Sequence, residues 1–294
     1  MTPRSWLYVP GDRPSLLGKA LTRGADAVIV DLEDAVPATA KEAARDQVAR
    51  WVAAQRPGGP CSLWVRINPG AAGHADARAV AAPALDGVCM AKCAGPGQVR
   101  ALDAVLGKRE REAGIAVGRI AVSPLLEDAT AVLAAPAIAA AAPRVVQLQL
   151  GEADLCAELD MEPGEDEREL LALRTHVLLA SAAAGIRPPV GPVFTDYRDV
   201  DTLRRSTQAL RRLGYRSRAC IHPAQLAVVH EVFTPHPKDV ERARRLVDRY
   251  EAAVRAGQAV LTDDGRMIDE AVVRGARRIL AAGEAVRPSS PRTC

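Results

Sequence analysis

Residues 144–155 read RVVQLQLGEADL, an apolar run that ends at a glycine and is followed at once by Glu152 and Asp154. The run is continuous rather than alternating, which is typical of a strand buried on both faces. A second stretch, IAVSPLLEDA at 120–129, ends in Glu127 and Asp128. A strand that ends for structural reasons alone does not need two acids. The pattern therefore indicates carboxylates placed at strand ends to hold a metal ion.

Eight apolar runs of this kind recur along the 294 residues, and most are separated by stretches with helical spacing. One of these stretches, PSLLGKALTRG, begins at Pro14 and ends at Gly24, as a helix would. Strands that alternate with helices predict an α/β fold, a closed TIM (β/α)8 barrel with a C-terminal helical extension. An open doubly wound sheet is the alternative, but no GxGxxG motif follows the first strand. The runs are WLYVP (6–10), AVIVDLED (27–34), LWVRIN (63–68), GVCMAKC (87–93), IAVSPLLE (120–127), RVVQLQLGE (144–152), PVGPVFTD (189–196) and RACIHP (218–223).

The last part of the chain has a different pattern. Residues 238–256 combine helical spacing with dense charge on one face, DDG at 263–265 predicts a tight turn, and MID at 267–269 leads into a final helix. We therefore expect a barrel domain at 1–225 and a C-terminal helical extension at 226–284 that lies outside the barrel. Residues 285–294 are expected to be a disordered tail.

Composition excludes several classes of function. The 39 basic and 36 acidic residues are dispersed along the chain, and three Trp and two Phe are too few for a nucleic-acid stacking surface. No apolar core of a signal peptide and no run of about 20 apolar residues is present, so we expect a cytoplasmic protein without a membrane segment. The six cysteines form no CxxC pair, which favours buried free thiols over a zinc site.

In a barrel of this kind the active site lies at the C-terminal ends of the strands, so the residues that end each run are considered together. Arg66 can hold a carboxylate with its planar guanidinium group, and Glu33, Asp34 and Lys92 are further candidates for substrate contacts. The residues that end the runs are Asp12, Arg13, Glu33, Asp34, Arg66, Asn68, Lys92, Glu127, Asp154, Asp196 and His222.

Three further interpretations follow from residue type. Two carboxylates from adjacent strand ends suit Mg²⁺, with Glu152 and Asp128 as alternatives to Glu127 and Asp154. Arg13 and Lys19 can reach an extended ligand that carries phosphate groups. The ring of His222 is as well placed to brace its turn by hydrogen bonding as to act as a base.

The chain resembles the citrate lyase beta-subunit family, which includes malyl-CoA and citramalyl-CoA lyases and lies within the HpcH/HpaI aldolase superfamily. Seven segments carry the resemblance, in the order of the family and over nearly the whole chain. They are LYVPGDRP, GADAVIVDLEDAV with Lys41 and Arg45 after it, VRIN, PLLEDA, GEADL, CIHPAQ and DGRMIDE.

The resemblance implies a magnesium-containing barrel, assembled as a homotrimer or as a hexamer built from trimers, that cleaves or forms a bond between acetyl-CoA and a 2-oxo acid. It implies that Glu127 and Asp154 are the metal ligands and that Arg66 lies at the acyl end of the acyl-CoA substrate. Coenzyme A contacts are implied for Arg13 and Lys19. Asp269 is implied to be an acid/base that the C-terminal segment delivers to a neighbouring subunit.

One departure from the family pattern concerns the fourth strand, where the family continues Lys-x-Glu-Ser and this chain reads Lys92, Cys93, Ala94, Gly95. The departure signals a different acyl substrate or an altered activity on the same metal site. Other functions on the same scaffold are a citryl-carrier-protein lyase subunit, a malyl-CoA thioesterase, a 2-oxo acid aldolase and a non-catalytic acyl-CoA-binding regulatory protein.

Overall fold

The fold was analysed in a computed structural model, which describes residues 2–257, 260–263 and 266–286. Contacts divide the chain into two compact units, Thr2–His230 and the part from Glu231 onward. The division falls within the helix Leu226–Phe233, whereas the boundary predicted from the sequence follows residue 225. Most of the predicted tail, 287–294, lies outside the described residues.

The first unit alternates strands and helices. Its strands are β1 (Ser5–Pro10), β2 (Ala27–Asp31), β3 (Ser62–Ile67), β4 (Gly87–Met90), β5 (Ala121–Leu126), β6 (Gln149–Leu150) and β7 (Arg218–Cys220). Its α-helices are α1 (Pro14–Ala20), α2 (Lys41–Ala53), α3 (Gly70–Val80), α4 (Pro96–Glu112), α5 (Ala129–Leu133), α6 (Ala135–Ala139), α7 (Glu152–Glu158), α8 (Leu171–Ala183), α9 (Val200–Leu213) and α10 (Leu226–Phe233). Short 3₁₀ helices lie at Ala38–Ala40, Arg168–Leu170 and Pro223–Gln225.

The seven strands form a parallel sheet in the order β6-β5-β4-β3-β2-β1-β7. The segment 189–196, predicted as a strand, joins the two ends of this sheet by single bridges, from Val190 to Gln149 and from Gly191 to Arg218. The sheet therefore closes into a barrel, which confirms the predicted fold class. The segment is not a regular strand because three nearby prolines, at 188, 189 and 192, lack the N–H that a β-ladder needs.

Side chains that point into the barrel form its inner core. Trp6 and Trp64 meet edge to face with their ring centroids 5.1 Å apart, and Ile29 and Val190 belong to the same buried cluster. A Cβ atom at Gly87 would lie 2.3 Å from Cζ3 of Trp64, so the absence of a side chain at Gly87 makes room for the tryptophan. Continuous apolar strands predicted this burial, and all five residues of β2 are buried.

Arg218 holds the irregular segment in place. Its Nε donates to the carbonyl of Pro192 at 3.0 Å, and its Nη1 donates to the hydroxyls of Ser206 and Thr207 at 2.9 Å each. The guanidinium also lies 5.7 Å from the ring centroid of Phe194. One buried cation thus links β7, the closing segment and α9.

The second unit contains α11 (Pro237–Arg255), β8 (Leu261–Asp263), β9 (Arg266–Ile268) and α12 (Glu270–Val286). The pairing of β8 with β9 is antiparallel, and α12 is the predicted final helix. The predicted turn at 263–265 falls mostly outside the described residues. Val247 and Tyr250 pack with Ile268 and Val273 in a separate core. No helix in the described part of the chain is long and apolar enough to cross a membrane.

We predict that Arg218→Met lowers the free energy of unfolding by about 2–4 kcal/mol, because it removes the buried donor that binds the Pro192 carbonyl and the Ser206 and Thr207 hydroxyls. Urea unfolding measures the change. Arg212→Met, at an exposed position on α9, is the matched control and is expected to change stability by less than about 0.5 kcal/mol. Equal stability of the two variants would show that Arg218 does not hold the barrel closed.

Candidate active site

A cavity of about 650 Å³ opens at the C-terminal ends of the strands, where the barrel fold predicts the active site. Residues from almost every strand end of the first unit line it. Its polar lining comprises Tyr8, Asp31, Asp34, Arg66, Glu127, Gln149, Glu152, Asp154, Glu167 and Thr195. The cavity therefore brings together Arg66, Asp34, Glu127 and Asp154 from the set that the sequence predicted.

Glu127 follows β5 directly and is only 6% exposed. Its Oε2 accepts a hydrogen bond of 2.6 Å from the backbone N–H of Lys92. Burial, with a smaller contribution from the charge of Asp154, raises the pKa of Glu127 to about 7, although the Lys92 N–H opposes the rise. A buried carboxylate that feels a second carboxylate is stabilised in its charged form by a cation.

Asp154 does not end a strand, contrary to the sequence prediction. β6 ends at Leu150 and the chain turns at Gly151, so Asp154 lies exposed in the first turn of α7 and projects into the cavity lining. A Cβ atom at Gly151 would lie 2.5 Å from Cγ of Glu127. The glycine is therefore required at this turn, because any side chain would displace Glu127.

The two alternative ligands have other partners. Both carboxylate oxygens of Glu152 accept hydrogen bonds from Arg174, at 2.6 and 2.7 Å. The carboxylate of Asp128 caps α5 by accepting from the Ala131 N–H at 2.7 Å. Each acid thus stabilises local structure, which favours Glu127 and Asp154 as ligands.

Of the carboxylates that line the cavity, Glu127 and Asp154 are the donor pair predicted for a cation. Among the described residues, no group of three or more His, Cys, Asp or Glu side chains is arranged to hold a metal ion. A pair of hard oxygen ligands suits Mg²⁺, which keeps water and substrate oxygens in the rest of its octahedral shell. The donor set fits Mg²⁺ and does not fit a structural zinc site, which needs four protein ligands.

Arg66 is held by Asp31, a residue that sequence reasoning missed. Its Nε and Nη2 donate to the two Asp31 oxygens at 2.7 and 2.5 Å, and its Nη1 lies 3.2 Å from Oε2 of Glu33. The planar edge expected to bind a substrate carboxylate is therefore occupied by Asp31, and the Nη1 side faces further acids. Aligning the strands would have found the pair, because Asp31 and Arg66 are opposite residues of β2 and β3.

Lys92, predicted to contact substrate, lies in an internal ion pair. Its backbone has a φ of +48°, an uncommon value for a residue with a side chain. Its Nζ lies 2.8 Å from Glu33 and 3.3 Å from Asp34, and the hydrogen bond to Glu33 raises the pKa of Lys92. The backbone of Lys92 thus holds Glu127 while its side chain holds Glu33 and Asp34.

Four predicted site residues of the first unit do not line the cavity, namely Arg13, Lys19, Glu33 and Lys92. Arg13, 68% exposed, precedes α1, and Lys19 is exposed in the last turn of that helix. Asp269 belongs to the second unit, where its Oδ1 accepts from the Val272 N–H at 3.0 Å at the start of α12.

The ring of His222 braces its turn. Nδ1 accepts from the Ala224 N–H at 3.1 Å, the Gln225 side chain completes a capping box, and Tyr197 stacks on the imidazole at a centroid distance of 4.4 Å. This arrangement matches the bracing interpretation of the sequence.

The raised pKa of Glu127 yields a prediction about stability in the absence of metal. Because the folded-state pKa lies above the ordinary value near 4.5, the contribution of Glu127 to stability is present below that value and is lost as pH rises through about 7. We therefore expect Glu127→Gln to be more stable than the wild type by about 2 kcal/mol at pH 8 and nearly equal to it at pH 5.

Urea unfolding in a chelator at both pH values checks this expectation. Glu165→Gln, at an exposed position, is the matched control and is expected to show no pH-dependent difference from the wild type. A Glu127→Gln variant that is less stable than the wild type at pH 8 contradicts the conclusion that burial disfavours the charged form of Glu127.

Comparisons with known proteins show which family the chain is similar to. The model of the HpcH/HpaI aldolase/citrate lyase family matches residues 4–223. The citrate lyase subunit beta of Leuconostoc mesenteroides subsp. cremoris is 30% identical over 285 residues, which cover 96% of this chain and 93% of the relative. A (3S)-malyl-CoA thioesterase of Cereibacter sphaeroides is 32% identical over 285 residues, which cover 96% and 95% of the two chains.

Among solved structures, CitE from Mycobacterium tuberculosis in complex with magnesium, acetoacetate and coenzyme A superposes with a TM-score of 0.74 and 28% identity. The match covers 96% of this chain and 98% of that one. The resemblance carried by the seven sequence segments is confirmed: the chain belongs to the HpcH/HpaI aldolase/citrate lyase family.

Proposed function

We propose that the protein is a Mg²⁺-dependent lyase that cleaves a hydroxyacyl-CoA thioester to acetyl-CoA and a 2-oxo acid, or catalyses the reverse reaction. The observation that carries the proposal is the pair formed by Glu127 and Asp154 in a cavity that also contains Arg66. The malyl-CoA and citramalyl-CoA type of substrate is favoured because magnesium, an oxo acid and coenzyme A occur together in a solved relative.

Glu127 and Asp154 would hold the magnesium ion at the cavity wall. Bound there, Mg²⁺ supplies Lewis acidity toward the hydroxyl and carboxylate oxygens of the substrate. During cleavage the bond between the hydroxyl-bearing carbon and the α-carbon of the thioester breaks. Its electron pair remains on the α-carbon as the enolate of acetyl-CoA, and a general base takes the hydroxyl proton, which leaves the 2-oxo acid.

The chain's own residues then have distinct roles. The cationic Arg66, fixed by Asp31, stabilises negative charge near the acyl group electrostatically, without offering its bidentate edge. Asp269 is the proposed acid/base that protonates the enolate carbon, delivered by the C-terminal segment of a neighbouring subunit. Arg13 and Lys19, both exposed, are proposed to contact coenzyme A.

We predict that Asp154→Asn lowers acetyl-CoA release from malyl-CoA or citramalyl-CoA by about 100-fold or more, because it removes one of two metal ligands. Release by the wild type is expected to stop when Mg²⁺ is chelated. Asp160→Asn, the same change at an exposed position just after α7, is the matched control and is expected to retain wild-type activity.

The products identify the reaction class. A lyase forms acetyl-CoA together with a 2-oxo acid, whereas a thioesterase releases free coenzyme A thiol and the intact hydroxy acid. Full activity of Asp154→Asn would overturn the ligand assignment. Thiol release without a 2-oxo acid would replace the lyase with the thioesterase activity named for a relative.

A further inference from the structure

Asp154 depends for its position on a short helix with few anchors. Among the seven residues of α7, all of which the structure describes, Leu155 alone is buried. Gly151 precedes the helix and has no side chain to cap its free N–H groups. So short a helix is not stable by itself, and tertiary contacts set its orientation. The contacts that hold α7 therefore decide where Asp154 lies in the cavity.

The first turn of α7 is anchored by Arg174, a residue of α8 that is 4% exposed. Its Nε and Nη2 donate to the two carboxylate oxygens of Glu152, the first residue of α7, at 2.6 and 2.7 Å. A bidentate pair of this kind fixes the carboxylate in direction as well as in distance. Asp154 follows two residues later, and an α-helix turns by a constant angle per residue. Fixing Glu152 therefore also fixes the direction in which the Asp154 side chain leaves the backbone.

The remaining nitrogen of the same guanidinium holds the segment that follows α7. Nη1 of Arg174 donates to Oε2 of Glu167 at 2.7 Å, and the Ser206 hydroxyl donates to the same carboxylate at 2.9 Å. The backbone of Glu167 has a φ of +53°, which is uncommon for a residue with a side chain. The backbone carbonyl of Arg174 accepts from the buried Tyr215 hydroxyl at 3.0 Å. Arg174 thus joins α7 to Glu167, a second acid that lines the cavity.

The position of Asp154 matters because Glu127 reaches the cavity from a different element. Burial raises the pKa of Glu127 and the charge of Asp154 raises it further, so the two carboxylates interact. Mg²⁺ requires oxygen ligands at about 2.1 Å in near-octahedral geometry. A small rotation of α7 would therefore take Asp154 out of the coordination shell that it shares with Glu127.

We propose that Arg174 is a positioning residue of the metal site, which fixes α7 so that Asp154 and Glu127 can bind one cation. The proposal rests on the assignment of these two acids as ligands under the proposed function. Arg174 does not line the cavity, so it acts through Glu152 and the helix rather than by contact with substrate.

Charge and position predict opposite effects when this side chain is removed. Arg174→Met removes a cation and leaves the acids Glu152 and Glu167 without it, so electrostatics alone would make cation binding tighter. Loss of position makes binding weaker. We expect the dissociation constant for Mn²⁺, measured by electron paramagnetic resonance, to rise by about 10-fold or more. Equal or tighter binding by a folded Arg174→Met variant overturns the proposal.

Arg144→Met is the matched control. Arg144 is also 4% exposed and is also paired with two acids, Asp103 and Glu110, but it precedes β6 and its partners do not line the cavity. Its substitution is expected to lower the free energy of unfolding by a similar amount and to leave Mn²⁺ affinity unchanged. An equal loss of affinity in the two variants contradicts the proposal, because it would show that general destabilisation is the cause.

Arg174→Lys covers the case in which Arg174→Met does not fold. Lysine keeps the positive charge but cannot make the bidentate pair with Glu152, so Mn²⁺ binding is expected to weaken by about 3-fold. Unchanged affinity in this variant overturns the proposal.

Amide hydrogen exchange in the presence of a chelator gives a readout that needs no metal. We expect the N–H groups of α7 to exchange about 10-fold faster in Arg174→Met than in the wild type, and at the wild-type rate in Arg144→Met. Unchanged exchange in Arg174→Met shows that Arg174 does not fix the helix and overturns the proposal. A wild type that binds no Mn²⁺ overturns the proposed metal site instead, and hydrogen exchange then decides whether Arg174 fixes α7.

Discussion

The buried ion pair between Asp31 and Arg66 is the interaction on which the rest of the site depends. The two residues are opposite each other on β2 and β3. Asp31 also accepts hydrogen bonds from the backbone N–H groups of Glu33 and Ala35, at 2.8 and 3.1 Å. Arg66 continues the network to Glu33, and Glu33 holds Lys92. Removing one member would leave a buried charge without its partner, which costs several kcal/mol.

This network positions Glu127, the carboxylate that we propose as a magnesium ligand. The backbone of Lys92 is fixed in an uncommon conformation while its side chain is tied to Glu33, and its N–H donates to Glu127. On the other side of Glu127, Gly151 leaves the space that a side chain would fill. Glu127 is therefore positioned by residues from three other strand exits, whereas Asp154 approaches from an exposed helical turn. One rigid and one accessible carboxylate suit a cation whose remaining ligands exchange during turnover.

Much of the fold was predictable from the sequence because burial on both faces leaves a direct signature in continuous apolar runs. Seven of the eight runs contain strands of the barrel, and the exception, 189–196, contains two of the prolines that interrupt its ladder. The position of Asp154 was misassigned because β6 has only two residues and the helix starts immediately after Gly151. Hydrophobic periodicity cannot locate the boundary between a strand of two residues and the helix that follows it.

The polar partners of the site were harder to predict. Arg66 and Lys92 were expected to face a ligand, yet both are engaged by acids of the same chain, and such pairing depends on strand register rather than on residue type. Asp31 could be identified as a partner of Arg66 only from the register of β2 and β3, in which the two residues are opposite each other. The location of Lys19 outside the cavity lining likewise follows from which face of α1 is buried, and Arg13 precedes that helix.

The most direct test of the central claim is a titration of the protein with Mn²⁺ as a paramagnetic substitute for Mg²⁺, followed by electron paramagnetic resonance. The account predicts one site in the wild type that Mg²⁺ displaces and that is lost in Glu127→Gln under conditions where this variant remains folded. Equal Mn²⁺ binding by the wild type and Glu127→Gln would contradict the assignment of Glu127 and Asp154 as the metal ligands.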